Sequence, residues 1–174
     1  NFRRSGRVLY SPRCARCRQC QAIRIPVADF RPDRSQKRCR QRNHDVTVTV
    51  ALPVPDGEKH ALYRMYLQGR YGGQMGASWE SFRDFLYESP VRTVEMSYRL
   101  DGRLIAVGIL DVEPTAASTV YCYYDPALIR RGLGVLNILR SVEYCRSSGV
   151  PWLYLGYYIR DCGRMNYKAR FKPC

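Results

Sequence analysis

Long apolar runs are missing from this sequence. None approaches the roughly 20 residues that span a bilayer, so no transmembrane helix is expected in its 174 residues. Acid is scarce as well: 15 Asp and Glu stand against 29 Lys and Arg, a formal charge of +14, and a surplus of that size points to a polyanion. Histidine is nearly absent, with only His44 and His60. Both stand in unpromising contexts, and His60, mid-helix, reads as an ordinary surface or packed residue. Internal repeats, low-complexity linkers and a recognisable secretory leader are also missing, although the chain opens at Asn1 rather than Met and is expected to lack its true start.

Material for a folded core is plentiful. Apolar residues make up 45% of the chain, with fourteen Tyr and five Phe, which excludes wholesale disorder. The length suits one domain, or one domain with a small appendage. Charge divides it unevenly. Residues 1–44 carry thirteen Arg and Lys against two Asp, a net +11, whereas residues 45–174 carry sixteen basic and thirteen acidic groups, a net +3. We therefore expect a basic, Cys-containing N-terminal region over 1–44 attached to a nearly neutral body over 45–174.

The eight Cys are too irregularly placed, and the chain too long, for a stapled mini-protein; such usage suits a reducing cytoplasm. Cys14, Cys17 and Cys20 form C-x-x-C-x-x-C. That spacing can offer three thiolates to a zinc ion or an iron–sulfur centre, with a fourth ligand from Cys39, His44 or a segment upstream. It equally describes three thiols in a tight turn that bind nothing. Cys122 and Cys145 sit within apolar strand and helix patterns and read as core residues.

Periodicity outlines the elements. Residues 22–27 alternate as a strand, and 31–43 read as a basic helix or arm in which Arg34, Arg38 and Arg42 share one face. Val46, Val48, Val50 and Leu52 mark a strand. A helix over 58–71 buries Leu62, Met65 and Tyr66 and stops at Gly72 and Gly73; another begins at an N-cap Ser78 and turns Trp79, Phe82, Phe85 and Leu86 inward. Strands over 93–100 and 103–112 flank the hairpin signal Asp101-Gly102. A strand over 118–124 ends at Asp125-Pro126, a helix follows over 132–147, and a last strand runs over 152–158. This order predicts an α/β (α+β) fold with a mixed sheet and flanking helices, of the N-acetyltransferase (GNAT) type, plus the small basic N-terminal subdomain. In such folds a strand–helix–strand unit splays open and the acyl donor enters the gap.

Several motifs stand in this frame: Phe2-Arg3-Arg4-Ser5-Gly6, the run 10–20, Arg24-Ile25-Pro26-Val27, the run 30–43, Tyr123-Tyr124-Asp125-Pro126, Leu133-Gly134, the run 154–159, and the run 165–171. Taken in this order, the sequence resembles the arginyl-tRNA–protein transferase family, including its bacterial branch that transfers leucine. It departs from the family's pattern in lacking a further Cys-containing segment upstream, in Gly132 where many members have Ser, and in Arg164 where Lys is commoner. The resemblance implies transfer of arginine or leucine from charged tRNA to the N-terminal α-amine of proteins beginning with Asp or Glu, marking them for degradation through the N-degron pathway. It implies a monomer working in the cytoplasm without a membrane.

An aminoacyl ester is already activated, so its aminolysis needs positioning, a neutral amine and stabilisation of a developing oxyanion. No cofactor is required for that chemistry, nor a catalytic His. Candidates follow for each need. Arg34, Lys37, Arg38, Arg40 and Arg42 would hold tRNA phosphates. Lys168, Arg170 and Arg164, with Tyr167, would hold the acidic acceptor. Tyr123, Tyr124, Tyr154, Tyr157, Tyr158 and Tyr167 offer a stacking platform, with Tyr124 and Tyr157 the catalytic candidates; strand alternation must send one of each adjacent pair to the far side. Asp125 would orient or deprotonate the amine, or simply form the turn with Pro126. A leucyl pocket should be apolar, and an arginyl pocket should offer a carboxylate such as Asp125, Glu143 or Asp161. Two rival readings remain: a CoA-dependent N-acetyltransferase, whose phosphate loop is incomplete here because Ile129 stands where Arg or Gln should precede Gly132 and Gly134, and a non-enzymatic zinc and RNA-binding module built on Cys14, Cys17 and Cys20.

Overall fold

The computed structural model describes residues 3–72, 76–163 and 165–174. A six-stranded sheet in the order β3-β8-β7-β6-β5-β4 forms its centre, built from β3 (Gln21–Pro26), β4 (Val46–Ala51), β5 (Thr93–Leu100), β6 (Arg103–Glu113), β7 (Ala116–Tyr124) and β8 (Trp152–Tyr158). Every neighbour pair is antiparallel except β7–β8. Helices α1 (Arg34–Arg42) and α4 (Leu133–Ser147) cover one face, and α2 (Gly57–Tyr71) and α3 (Trp79–Leu86) the other. Outside the sheet, β1 (Arg3–Ser5) and β2 (Val8–Tyr10) make a small hairpin that the sequence pattern did not reveal. The mixed α+β architecture expected from the order of elements is therefore present, and 3-10 turns at Pro126–Arg131 and Asn166–Arg170 add to it.

Burial on two faces explains the patterns. In β6, every residue from Leu104 to Leu110 is buried, as expected of a strand covered on both sides. Its Val107 and Ile109 meet Tyr63, Leu67 and Phe82 of α2 and α3, while Ala106 and Leu110 join Leu136, Leu139 and Val142 of α4. Gly108 lies on the α4 face, where a Cβ would sit 1.8 Å from Asn137 Oδ1; only glycine lets α4 approach so closely. Asn137 is buried and its Oδ1 accepts from Tyr98 Oη at 3.0 Å.

Helix boundaries follow their caps. Asp33 accepts from the Gln36 backbone N–H while the Gln36 side chain accepts from the Asp33 backbone, a reciprocal capping box. Ser78 caps α3 as expected. Two inward assignments are corrected. Met65 is exposed because α2 buries Tyr63 and Leu67 beside Leu62 and Tyr66, a stripe rotated by one position. Trp79 lies largely at the surface, its ring against His60 and Phe82, because the first residue of a helix overhangs the core that Phe82 and Leu86 fill.

Residues 21–42, which the charge pattern grouped with the basic N-terminal region, supply β3 and α1 to this same body. β3 pairs with β8, and α1 inserts Gln36, Cys39 and Asn43 toward α4 and the C-terminal turn. Gly108→Ala should destabilise the fold by about 1–3 kcal/mol through overpacking against Asn137, read as a lower denaturation midpoint with an unchanged slope.

Candidate active site

β7 and β8 are hydrogen-bonded through only two pairs, Ala117↔Leu153 and Ser118↔Tyr154. Just beyond, β7 skips Val120 in a bulge against β6, and a cleft of about 390 Å³ opens beside Thr119–Cys122 and Leu155. The first turn of α4 borders it from Gly132 to Val135. Gly132 is left-handed (φ 70°), and no side chain caps this helix start, so free N–H groups and the positive end of the helix dipole meet the cleft. Cys39 and Asn43 of α1 hydrogen-bond the Arg131 and Gly132 carbonyls, fixing the basic helix beside this helix start.

Three cations line the cleft: Arg3, Arg70 and Lys168. No Asp or Glu lines it among the described residues. Lys168 is half-buried, and its Nζ donates to the Tyr157 carbonyl at 2.7 Å. Burial, reinforced by the nearby charge of Arg3, lowers its pKa to about 8. Arg70 rests 5.9 Å from the ring centres of both Tyr66 and Tyr71, close enough for cation–π attraction. Apolar surface comes from Val120, Leu133, Val135, Ile138 and Leu155.

Tyrosines complete the walls. Tyr66, Tyr121, Tyr124 and Tyr167 line the cleft, with the Tyr66 ring edge-on to Tyr124 at 5.1 Å and to Tyr121 at 6.2 Å. Burial raises the pKa of both Tyr66 and Tyr121, so each phenol stays protonated, and the buried Tyr121 Oη has no partner among the described residues. Of the tyrosines expected to form a stacking platform, Tyr124 and Tyr167 line this cleft. Tyr123 points away into the α2–α3 core, as alternation requires. Tyr154 and Tyr157 instead line a second cleft of about 300 Å³ that shares Arg3 and Val120 with the first.

The remaining sequence candidates fall elsewhere. Asp125 is buried, but its Oδ1 accepts from Ala127 N–H at 2.9 Å and its Oδ2 pairs with Arg103 at 2.9 Å; it is not among the residues lining the cleft. It forms the turn before Pro126, the alternative that its sequence context offered. Arg170 is exposed at the end of its 3-10 turn, and its carbonyl accepts from Gln36. Arg164 lies outside the described residues, as do Phe2 and Gly73. Among the basic residues of α1, Arg34, Lys37 and Arg38 are exposed with no partner among the described residues, whereas Arg40 pairs with Glu143 at 3.0 Å and Arg42 donates to the Arg130 carbonyl.

The cysteines also separate. Cys14 and Cys17 are exposed, Cys20 is half-buried, and all three are free. Among the described residues, no three His, Cys, Asp or Glu side chains converge as the ligands of one ion would. Cys39, a proposed fourth ligand, is buried against α4, and burial raises its pKa. His44 is exposed, with Nδ1 at 3.0 Å from the Gln41 carbonyl. Cys122, expected in the core, borders the cleft instead; burial pushes its thiol up to about 12, which leaves it a weak nucleophile at neutral pH.

Sequence reasoning missed Arg3, Tyr66, Arg70 and Tyr121. In the sequence Arg3 stands out only as part of a motif, and Tyr66 only as one point of a helical stripe. No local signal told that α2 borders the cleft.

A mixed sheet whose single parallel pair parts beside a helix N-terminus defines an acyltransferase fold of the N-acetyltransferase type. Solved structures share the architecture. The C-terminal DUF2156 domain of a putative lysylphosphatidylglycerol synthetase from Agrobacterium fabrum aligns with a TM-score of 0.64 at 14% identity, over 90% of this chain and 59% of that one. The structure of L-PGS from Bacillus licheniformis aligns with a TM-score of 0.66 at 12% identity, over 90% of this chain and 57% of that one. At these identities the likeness is one of fold.

Sequence narrows the class to a family. The family described as arginine-tRNA-protein transferase matches by its N terminus at residues 1–38 and by its C terminus at residues 58–174. An aspartate/glutamate leucyltransferase of Stenotrophomonas maltophilia (strain R551-3) is 42% identical over 99% of this chain and 72% of its own length. One from Pseudomonas fluorescens (strain SBW25) is 41% identical over 99% of this chain and 74% of its own length. The chain belongs to the arginine-tRNA-protein transferase family and is an aminoacyltransferase.

Proposed function

We propose that this chain transfers leucine from aminoacyl-tRNA to the α-amine of proteins beginning with Asp or Glu, marking them for degradation. One observation carries the choice: the cleft presents cations and apolar surface but no carboxylate among the described residues. An arginyl side chain would need an acidic partner in such a site, and none of Asp125, Glu143 and Asp161 borders it. A leucyl side chain needs only apolar contact, which Val120, Leu133, Val135, Ile138 and Leu155 supply. The names of the leucyltransferase relatives favour the same donor.

The reaction is aminolysis. The acceptor nitrogen attacks the ester carbonyl carbon, the amide bond forms, the bond to the terminal ribose oxygen breaks, and the amine's proton ends on that oxygen. The free N–H groups of the α4 start and the Tyr121 hydroxyl offer hydrogen bonds to charge developing on the carbonyl oxygen. An α-amine with a pKa of ~7.7–8.0 is partly neutral near pH 7, so the demand on a base is small. Lys168 attracts the acidic side chain of the acceptor, and the aromatic walls stack the terminal adenosine. The exposed face of α1, anchored beside the cleft, tracks the acceptor-stem phosphates. The protein works in the cytoplasm, where its eight free cysteines remain reduced.

The test is to incubate the protein with an Asp-initiated peptide and charged total tRNA, then weigh the peptide. A gain of one leucyl residue is expected; a gain of one arginyl residue overturns the donor, and no gain overturns the transferase reading. The pH profile checks Lys168. Below a pH of about 8 it is a cation and above it neutral, while the acceptor amine becomes reactive over the same range. For the acidic acceptor, kcat/KM should therefore rise toward pH 8 and fall beyond it. Lys168→Arg, which keeps its charge, should abolish the falling limb. Replacing Arg34, Lys37 and Arg38 together by Gln should leave the melting temperature nearly unchanged and flatten the dependence of log affinity for tRNA on log salt by about 2.

A further inference from the structure

Arg3 and Arg4 are neighbours on β1 and point to opposite sides, and the two guanidinium groups are treated differently. Arg4 is buried, with Nε 2.9 Å from Asp111 Oδ2 and Nη1 on the Gly6 and Glu88 carbonyls; it is a structural ion pair. Arg3 has no carboxylate partner among the described residues. Its Nη1 donates to Ser118 Oγ at 3.2 Å and the Thr119 carbonyl at 2.7 Å, and its Nη2 to the Val120 carbonyl at 3.1 Å. These are the β7 groups just where the ladder with β8 stops. On the other side lies Gly156 of β8, where a Cβ would come within 3.0 Å of the guanidinium carbon; its φ of 89° also suits glycine.

The Arg3 guanidinium is thus wedged between β7 and β8, held by its outer edge against β7. A guanidinium offers five N–H donors. The side edge formed by Nε–H and the second Nη2–H carries no hydrogen bond to any described residue. That edge is the one that receives both oxygens of a carboxylate in a bidentate pair. Arg3 lines both clefts, and Lys168 lines the larger one with it. Two cations that line one cleft with no carboxylate partner among the described residues favour an anion between them.

We infer that the free edge of Arg3, acting with Lys168, grips the side-chain carboxylate of the acceptor's first residue and so sets the preference for acidic N-termini. This rests on the transferase reading above. The carboxylate is favoured over a tRNA phosphate by position. Arg3 lies between two strands with its hydrogen-bonding edge matched to two oxygens in a plane, whereas unpaired cations suited to a polymer backbone stand in the open on α1.

The experiment compares leucine transfer to peptides that differ only in a first residue of Asp or Asn, using the wild type, Arg3→Lys and Arg3→Gln. The Asp-over-Asn ratio of kcat/KM should fall on the order of tenfold or more in Arg3→Gln. It should fall less in Arg3→Lys, which keeps charge without the paired donors; because the ratio is taken within each variant, a general loss of activity cancels from it. An unchanged ratio overturns the inference, as does a rise confined to the KM for tRNA, which would assign Arg3 to a phosphate. If the variants do not fold, phenylglyoxal labelling of Arg3 in the wild type gives the answer by mass spectrometry: protection by the Asp peptide and not by the Asn peptide supports it, and equal labelling overturns it. Absence of leucine transfer by the wild type would instead count against the transferase reading itself.

Discussion

The contact between β7 and β8 is two residue pairs long, and the site exists because it goes no further. A parallel pair joined by a helix would ordinarily continue its ladder along both strands. Here the bulge at Val120 turns β7 away from register, Thr119 Oγ1 reaches the Tyr154 carbonyl in place of a ladder bond, and Arg3 takes the carbonyls of Thr119 and Val120. Buried backbone carbonyls left without a partner cost about 1–3 kcal/mol each, and where the strands part Arg3 donates to two of them. The N-terminal hairpin therefore forms part of the wall of the cleft.

Charge is distributed in two tiers. On α1, Arg34, Lys37 and Arg38 present solvated heads that are screened by salt and suited to long-range attraction of a polyanion. Within the cleft stand Arg3, Arg70 and Lys168, and the pKa of Lys168 is depressed first by burial and then by the charge of Arg3. The helix start of α4 adds a fixed positive dipole without a titrating group. The rigid link between the tiers is α1 itself, tied to α4 through Cys39 and Asn43 and to the C-terminal turn through Gln36. A nucleic acid held on the outer tier would thus be registered against the inner one.

Much of the fold could be read locally. Alternation in 46–52, the Asp-Gly hairpin, the Ser78 cap and the apolar run of β8 each depend on neighbours along the chain, and each lies where the pattern put it. The stripe of α2 was one position off at Met65, because a tyrosine-rich helix can bury either of two adjacent faces and the choice belongs to the sheet beneath it. Of the four tyrosines that line the cleft, Tyr124 and Tyr167 could be singled out from the sequence. Tyr66 and Tyr121 were hidden, since an aromatic residue on a helix or strand looks the same whether it faces a core or a cleft.

Asp125 shows where local reading stops. Its place at a strand end before Pro126 suits either a catalytic carboxylate or a turn, and only the arrival of Arg103 from the neighbouring strand commits it to the turn. By itself the sequence determined the strands and helices of the main body, the excess of positive charge and the family, because all three are written in residue type and spacing. Tertiary structure decided which cations lose their counterions, which tyrosines see the cleft, and that Arg3 stands between β7 and β8. Those are matters of what a side chain meets far away along the chain, and no periodicity carries that information.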